Sequence, residues 1–444
     1  MRPLIAGSLL LLVAASGAFA ALLDDLTAGN LSATNATVSF QSAVPVTAVL
    51  EWGKDEKYGS NTSEQYASDA QPDEAIAGLR ALYLDGLEPA TEYHWKITAK
   101  TADGTTETAT GSFTTLPVNA EKKRGPDGSH VPPHTPAYET PATHVAATWE
   151  EVNNLLGQCR GGEVIEVAQS DSRGEKTIVL TGGNEAWEKN VLIRPPLGQR
   201  AANRTRGVEI NSPNLTVAGF NLNHASMYSK YGNHRGNASG IGARRAFFWM
   251  CVLERQGMLL ANGCPDSGWY EVVAPRRGVG SDRSQIKAYG DVLPDNFTIA
   301  GCWLEGKDRT NGKDHSDTLQ TLASDDNPIR GLKMIDTVFF RSANCAGQLT
   351  HLAGPRIENC WFGPVEVKSK VCGSFYATLG ACLDAVIRDS DWNGSFRQNA
   401  NPKEIRNSSF QKLAQPGEVS ENNQIGPELR PQPPVPDLDK IWPK

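Results

Sequence analysis

The hydrophobic positions along this chain change their spacing as the chain proceeds. Within residues 22–116 apolar and polar side chains alternate, as in Ala36-Thr37-Val38-Ser39-Phe40 and Ala48-Val49-Leu50-Glu51-Trp52. A period of two over such short runs predicts half-buried strands, with further strands expected at 94–101 and 111–115. Residues 117–143 have no hydrophobic period and are rich in Pro, Gly, Lys and Thr, which predicts a linker. Thr148-Trp149-Glu150-Glu151 then reads as a capping box, with Thr148 as N-cap and Glu151 returning to its amide. The short helix that follows would turn Trp149, Val152, Leu155 and Leu156 inward and end at Gly157. A Gly161-Gly162 turn leads into a Val164-Ile165-Glu166-Val167 strand.

The remainder repeats. One strand pattern recurs at 215–222, 246–253, 297–304 and 332–339, with weaker copies at 355–362, 385–392 and 404–410. Measured between the last apolar residues, the steps are 31, 51, 35, 23, 30 and 18 residues. Uneven spacing around fixed strand cores predicts a solenoid whose loops vary while its coils do not. The 51-residue step is expected to hide an extra coil, placed near Met258-Leu259-Leu260. Cys251, Cys302 and Cys360 occupy one repeat position, with Thr337 and Ser390 as counterparts, so an interior ladder is expected rather than a set of nucleophiles. Regular leucine-rich spacing is absent, and a propeller would need even blades of about 40 residues. The segment 416–444, with seven prolines, should lie along or beyond the last coil.

Two resemblances follow from these motifs. The run Leu87-Glu88-Pro89-Ala90-Thr91-Glu92-Tyr93 resembles the tyrosine corner of fibronectin type III domains, with Trp52 as the core tryptophan. That resemblance implies a spacer or substrate-proximity module at 22–116. The capping helix, Gly-Gly turn and Val-Ile-x-Val strand resemble the opening of the pectate-lyase-like proteins. This implies an all-β chain, with a right-handed parallel β-helix over 144–415 behind the sandwich.

Composition narrows the partners. A net charge of −7 argues against nucleic acid, which needs a basic footprint. Arg2, an apolar run over 4–13 and Ala18-Phe19-Ala20 before Ala21 read as a secretory signal over residues 1–20. The apolar run is shorter than the roughly 20 residues a membrane span requires. A secreted or periplasmic protein is expected, with no membrane span after signal removal and a monomeric state. Export permits disulfides, and Cys372 and Cys382 are a candidate loop pair.

Candidate chemistry gathers at the insertions. Tyr228, Lys230, His234 and Arg235 lie in one, and Arg276, Arg283 and Lys287 in another. Basic loops on an acidic chain suit a polyanionic sugar as substrate. Between coils stands Lys313-Asp314-His315-Ser316-Asp317-Thr318-Leu319-Gln320. Its His-x-Asp-x-x-Gln pattern resembles that of exported bacterial β-helix proteins acting on polysaccharides. It is also similar to the polygalacturonase motif, with Asp317 matching the first acid and Gln320 standing where that family has its second carboxylate. That departure counts against inverting hydrolysis, which needs two carboxylates. β-Elimination of a uronic-acid polymer fits better, with His315 or Lys313 as base and Arg341 as neutralising cation. Gln320 and the basic residues would bind substrate, and Glu305 and Asp314 are candidate calcium ligands. No organic cofactor is called for. A glycoside hydrolase, a uronate epimerase and a noncatalytic carbohydrate-binding adhesin are the alternatives.

Overall fold

A computed structural model describes residues 21–29, 31–62, 65–66, 75–168, 177–199, 204–205, 207–229, 242–275, 282–288, 292–307, 316–340, 342, 345–363, 377–398, 403–414, 420–426 and 430–442. The N-terminal unit is antiparallel throughout. Strand Asn35–Gly53 pairs through its first half with Asp24–Gly29 and Ile76–Asp85, and through its second with Ser60–Thr62 and Glu92–Lys100. One long strand thus serves two layers, which close over Val38, Phe40, Leu50, Leu82, Leu84, Trp95 and Ile97. The Glu88 N–H donates to the Tyr93 hydroxyl at 3.0 Å, pinning the turn before its strand.

From His144 onward every described strand pairing is parallel, in sheets of 12 and 17 strands whose order follows the chain. Each strand hands its hydrogen bonds to the equivalent strand one coil on, so the chain winds as a parallel β-helix. The helix Trp149–Leu156 covers its first coils, burying Trp149, Val152 and Leu156. Its cap differs from the expected box. Thr148 makes no side-chain cap bond, and Glu151 reaches one residue further, accepting from the Ala147 N–H at 2.8 Å.

The repeat is explained by a bend. From Leu215–Ala218 onward the residue after each strand of the shorter sheet takes a left-handed conformation, at Gly219, Met250, Glu271, Gly301, Asp336, Asn359, Asp389, Asn407 and Asn422. Gly, Asn and Asp tolerate that region best, so the position reads as small or polar. The next residue points inward. There Cys251, Cys302, Thr337, Cys360, Ser390 and Ser408 are fully or almost fully buried. Each donates to the carbonyl two residues back, at Trp249, Ala300, Ile335, Glu358, Arg388 and Arg406. Several also accept from the coil before: Cys302 N–H donates to Thr337, Cys360 N–H to Ser390 and Ser390 N–H to Ser408. Burial holds the Cys251 and Cys360 thiols up at about 12, so they are packing groups. Cys382 lies in the core with its thiol toward Leu349 O, and Cys372 is outside the described residues.

The extra coil exists at a different place from that expected. It is carried by Gly268–Tyr270, with Glu271 at the bend and Val272 inward, whereas Met258-Leu259-Leu260 belongs to the strand Val252–Asn262 of the coil before. Its pattern is weaker because Ala274 stands where the recognised copies end on a large apolar residue such as Leu304. Further on, Phe339, Phe362, Trp392 and Phe410 stack face to face through the core, with centroids 4.9, 3.8 and 5.9 Å apart.

Residues 117–143 do not hang free. They run back along the β-helix as a strap, from Lys122 and Arg124 on Asp391 to Thr135 on Thr216 and Tyr138 against Trp249. At its centre His130 sits between Glu271, 2.7 Å from Nδ1, and Asp336, 2.9 Å from Nε2. A Cβ on Gly301, the bend residue between those two acids, would come within 2.3 Å of the imidazole, so only glycine leaves the slot open. The tail returns over the same surface. Trp442 donates to Glu271 at 3.0 Å, and Gln432 pairs with the strap and accepts from Ala33 N–H of the sandwich at 2.8 Å. Ala33 and Leu116 complete the contact by packing on Trp303, Phe340 and Trp361. No helix among the described residues is long and apolar enough to cross a membrane.

Two outcomes test this packing. Phe362→Ala opens a hole in the aromatic stack and should cost about 3–5 kcal/mol, read as a lower urea midpoint. Burial pulls the His130 pKa down, but hydrogen bonds from Asp336 and Glu271 outweigh it and raise it to about 10. A raised folded pKa gives stability that is complete below about 6.5 and lost as pH climbs through about 10. The stability difference between wild type and His130→Gln should therefore be greatest in mild acid, on the order of 2–4 kcal/mol, and shrink in alkali. A difference that does not change with pH would contradict the charged imidazole.

Candidate functional site

Two insertions separate Pro275 from Asp282 and Lys307 from Ser316, and the strands before them pair in register, Ala274 with Leu304. The strands they feed, Ser284–Lys287 and Asp317–Leu322, pair in parallel with each other and then with Cys345–Ala353. Alternation along these strands buries Ser284, Ile286, Leu319 and Leu349 and turns Gln285, Lys287, Gln320 and Gln348 toward the outside. Register then stacks like on like. Gln285 donates to Gln320 at 3.3 Å, and Gln320 donates to Gln348 at 3.0 Å, an amide ladder one residue per coil.

Beside the ladder runs a row of acids. Asp282 and Asp317 both stand three residues before their glutamines, so the pattern Asp-x-x-Gln occurs on adjacent coils. Asp282 accepts from Gln285 at 2.5 Å and from the Asp317 N–H at 2.7 Å. Asp317 is fully buried and accepts from the Cys345 thiol at 3.0 Å and from Gln320 at 3.4 Å.

Cations crowd the corner. Lys307 is 2% exposed, and burial together with the Arg283 charge lowers its pKa to about 7, against the opposing pull of Asp282. Burial also lowers Lys287, again opposed by Asp282. His224, on the strand Asn221–Tyr228 of the same sheet two coils before Ser284–Lys287, is held down at about 4 by burial and by Lys307, and so is neutral near pH 7. An amine near neutrality, two carboxylates and an amide ladder thus share one wall. Such a wall can bind an extended polar chain and exchange a proton with it.

The sequence-named residues divide as follows. Asp317, Gln320, Lys287, Arg283 and Tyr228 lie on one sheet; Tyr228 shares a register row with Asn262, Lys287 and Leu322, five residues along the strand from Asp317. Arg283, however, is fully buried and donates to the carbonyls of Glu305, Gly257 and Pro275, so it does not present its guanidinium to substrate as expected. Gln320 is a ladder member first. Glu305 accepts from the Trp303 indole at 2.7 Å. His315, Lys313, Asp314, Arg341, Lys230, His234, Arg235 and Arg276 lie outside the described residues. Asp282, Lys307 and Cys345 were missed as site residues. The repeated Asp-x-x-Gln was visible for Asp282; nothing in the sequence marked a buried lysine.

Among the described residues the donors close enough to share a metal ion are Asp127, His130 and Glu271, on the strap and not on this wall. Glu271 there already accepts from the Gly128 N–H and the Trp442 indole. Asp314, the other expected calcium ligand, lies outside the described residues.

No family model and no curated protein matches the chain. Among solved structures, a family 28 exopolygalacturonase of Yersinia enterocolitica is similar over 93% of this chain and 100% of that one, at 10% identity and a TM-score of 0.23. PfbA, a surface adhesin of Streptococcus pneumoniae, is similar over 62% of this chain and 78% of its own, at 10% identity and a TM-score of 0.29. Likenesses this loose carry no argument about chemistry, and the β-helix stands on its own strand pairings.

The lowered Lys307 pKa has a consequence for stability. The unfolded chain binds the proton more tightly between about pH 7 and 10.5, so this group's destabilising effect is greatest below that window and fades as pH rises. Lys307→Met should therefore stabilise the protein most at or below pH 7 and lose its advantage toward pH 10.5, in urea titrations across that range.

Proposed function

We propose that this chain is an exported enzyme that cleaves a uronic-acid polysaccharide by β-elimination, with Lys307 as the base. The observation that carries the reading is a buried lysine held near neutrality in the field of Arg283 and Asp282, with Asp282 in turn bonded to the first member of the glutamine ladder. Coils repeat at about 4.7–4.9 Å, so the ladder offers evenly spaced amides to the hydroxyls and carboxylates of an extended chain. The ammonium of Lys287 attracts the uronate carboxylate and offsets its charge. The C5 proton passes to the neutral amine of Lys307 as the C4–oxygen bond breaks, leaving a C4–C5 double bond, and the departing sugar oxygen takes a proton from water. A lysine tuned near the working pH suits this task, because it is both substantially unprotonated and still basic. No step is routed through calcium. The N-terminal unit is a fibronectin type III-like spacer in this reading, supported by the bond between Glu88 N–H and the Tyr93 hydroxyl.

Hydrolysis is the second reading, favoured by the two carboxylates of Asp282 and Asp317 on adjacent coils. The two reactions part at the product. On alginate, pectate and glycosaminoglycans, elimination raises absorbance near 235 nm, whereas hydrolysis yields reducing ends without it. Lys307→Gln should lower kcat by about 10²–10⁴-fold, and wild-type kcat/KM should rise through about pH 7 as the amine loses its proton. Turnover by the variant within a few-fold of wild type would remove Lys307 from the reaction.

A further inference from the structure

Arg283 has an unusual position for a group expected to meet substrate. Its guanidinium is fully buried and reaches three main-chain carbonyls drawn from three coils: Gly257 at 2.6 Å, Glu305 at 2.8 Å and Pro275 at 3.1 Å. Its own N–H donates to Asp317 O at 2.8 Å. Pro275 is the last described residue before one insertion, and Glu305 stands two residues before Lys307, where the other departs. A planar guanidinium offers donors in several fixed directions, which an ammonium on a flexible stem does not reproduce.

The geometry points to Arg283 as the positioning residue of this wall, tying the roots of both insertions together and fixing Lys307 and Asp317 relative to each other. This rests on the catalytic reading above, and gives Arg283 a role in it distinct from binding substrate. Two consequences follow. The fork sets position, because one of its carbonyls, Glu305 O, stands two residues before Lys307, and Arg283 itself is the neighbour of Asp282. Its charge also bears on Lys307, since a fixed cation nearby disfavours a second one, in addition to the larger effect of burial.

Charge and fork can be separated with two substitutions in the full-length protein. Arg283→Lys keeps the charge and loses the fork; kcat should fall about 10-fold or more while the Lys307 titration moves by less than about half a unit. Arg283→Met removes both; the Lys307 titration should move up by about one unit or more, carrying the rising limb of kcat/KM with it. The titration is read directly by lysine side-chain nitrogen NMR, assigned with Lys307→Gln, and needs no turnover. A merely structural arginine would lower the melting temperature without moving that titration. Unchanged kcat in Arg283→Lys together with an unmoved titration in Arg283→Met overturns the proposal. Should Arg283→Met fail to fold, unchanged kcat in Arg283→Lys overturns it alone. A titration that moves as expected, in a protein that cleaves no uronate polymer, upholds the positioning role and sinks the catalytic reading instead.

Discussion

Everything in the β-helix depends on one constraint: a coil can satisfy its main-chain groups only by matching the next coil in register. A parallel strand buried on one face has nowhere else to place its N–H and C=O groups. A slip of one residue would turn its apolar side chains outward and its polar ones into the core. The bend row fixes this register from inside. Cys, Thr and Ser there donate to the carbonyl two residues back, and several accept from the neighbouring coil, so each contributes locally and between coils. A net contribution of about 1 kcal/mol per hydrogen bond is modest, but a displaced coil would leave such groups buried and unpaired. The stack of Phe339, Phe362, Trp392 and Phe410 obeys the same register with rings.

The same constraint makes the outer wall. Side chains one coil apart in a parallel stack must meet their equivalents, so a repeated Asp-x-x-Gln becomes two rows, one acidic and one amide. At this corner Arg283 donates to three main-chain carbonyls, those of Gly257, Pro275 and Glu305. Burial and then Arg283 disfavour the charge on Lys307, and burial and then Lys307 disfavour the charge on His224. Chemistry and scaffold are therefore coupled at the corner, and moving one coil would move the wall.

The strap and tail solve a different problem. The shorter sheet is apolar on its outer side as well, at Val164, Leu192, Phe247, Trp249 and Tyr270. Tyr138 of the strap and Trp442 of the tail cover that surface, and Glu271 joins the two segments by accepting from both. The sandwich is drawn against Trp303, Phe340 and Trp361 by the same elements, close to the corner that carries Glu305 and Lys307. A segment without hydrophobic period can still be ordered when a larger surface supplies its hydrogen bonds.

The sequence by itself determined the solenoid, the antiparallel sandwich and the interior place of Cys251, Cys302 and Cys360, because period and repeat position are local properties. It also marked Asp317 and Gln320 as neighbours of the working wall, since polar residues beside a coil stand out against its apolar rhythm. Tertiary structure alone decided that Arg283 faces carbonyls and not solvent, that Lys307 is the tuned amine, and that residues 117–143 fasten the β-helix they were expected to leave free. It also placed the extra coil at Trp269, where Ala274 in place of a large apolar anchor weakens the repeat. Each of these depends on partners tens to hundreds of residues away, and burial and charge at such a distance are set only when the coils have stacked.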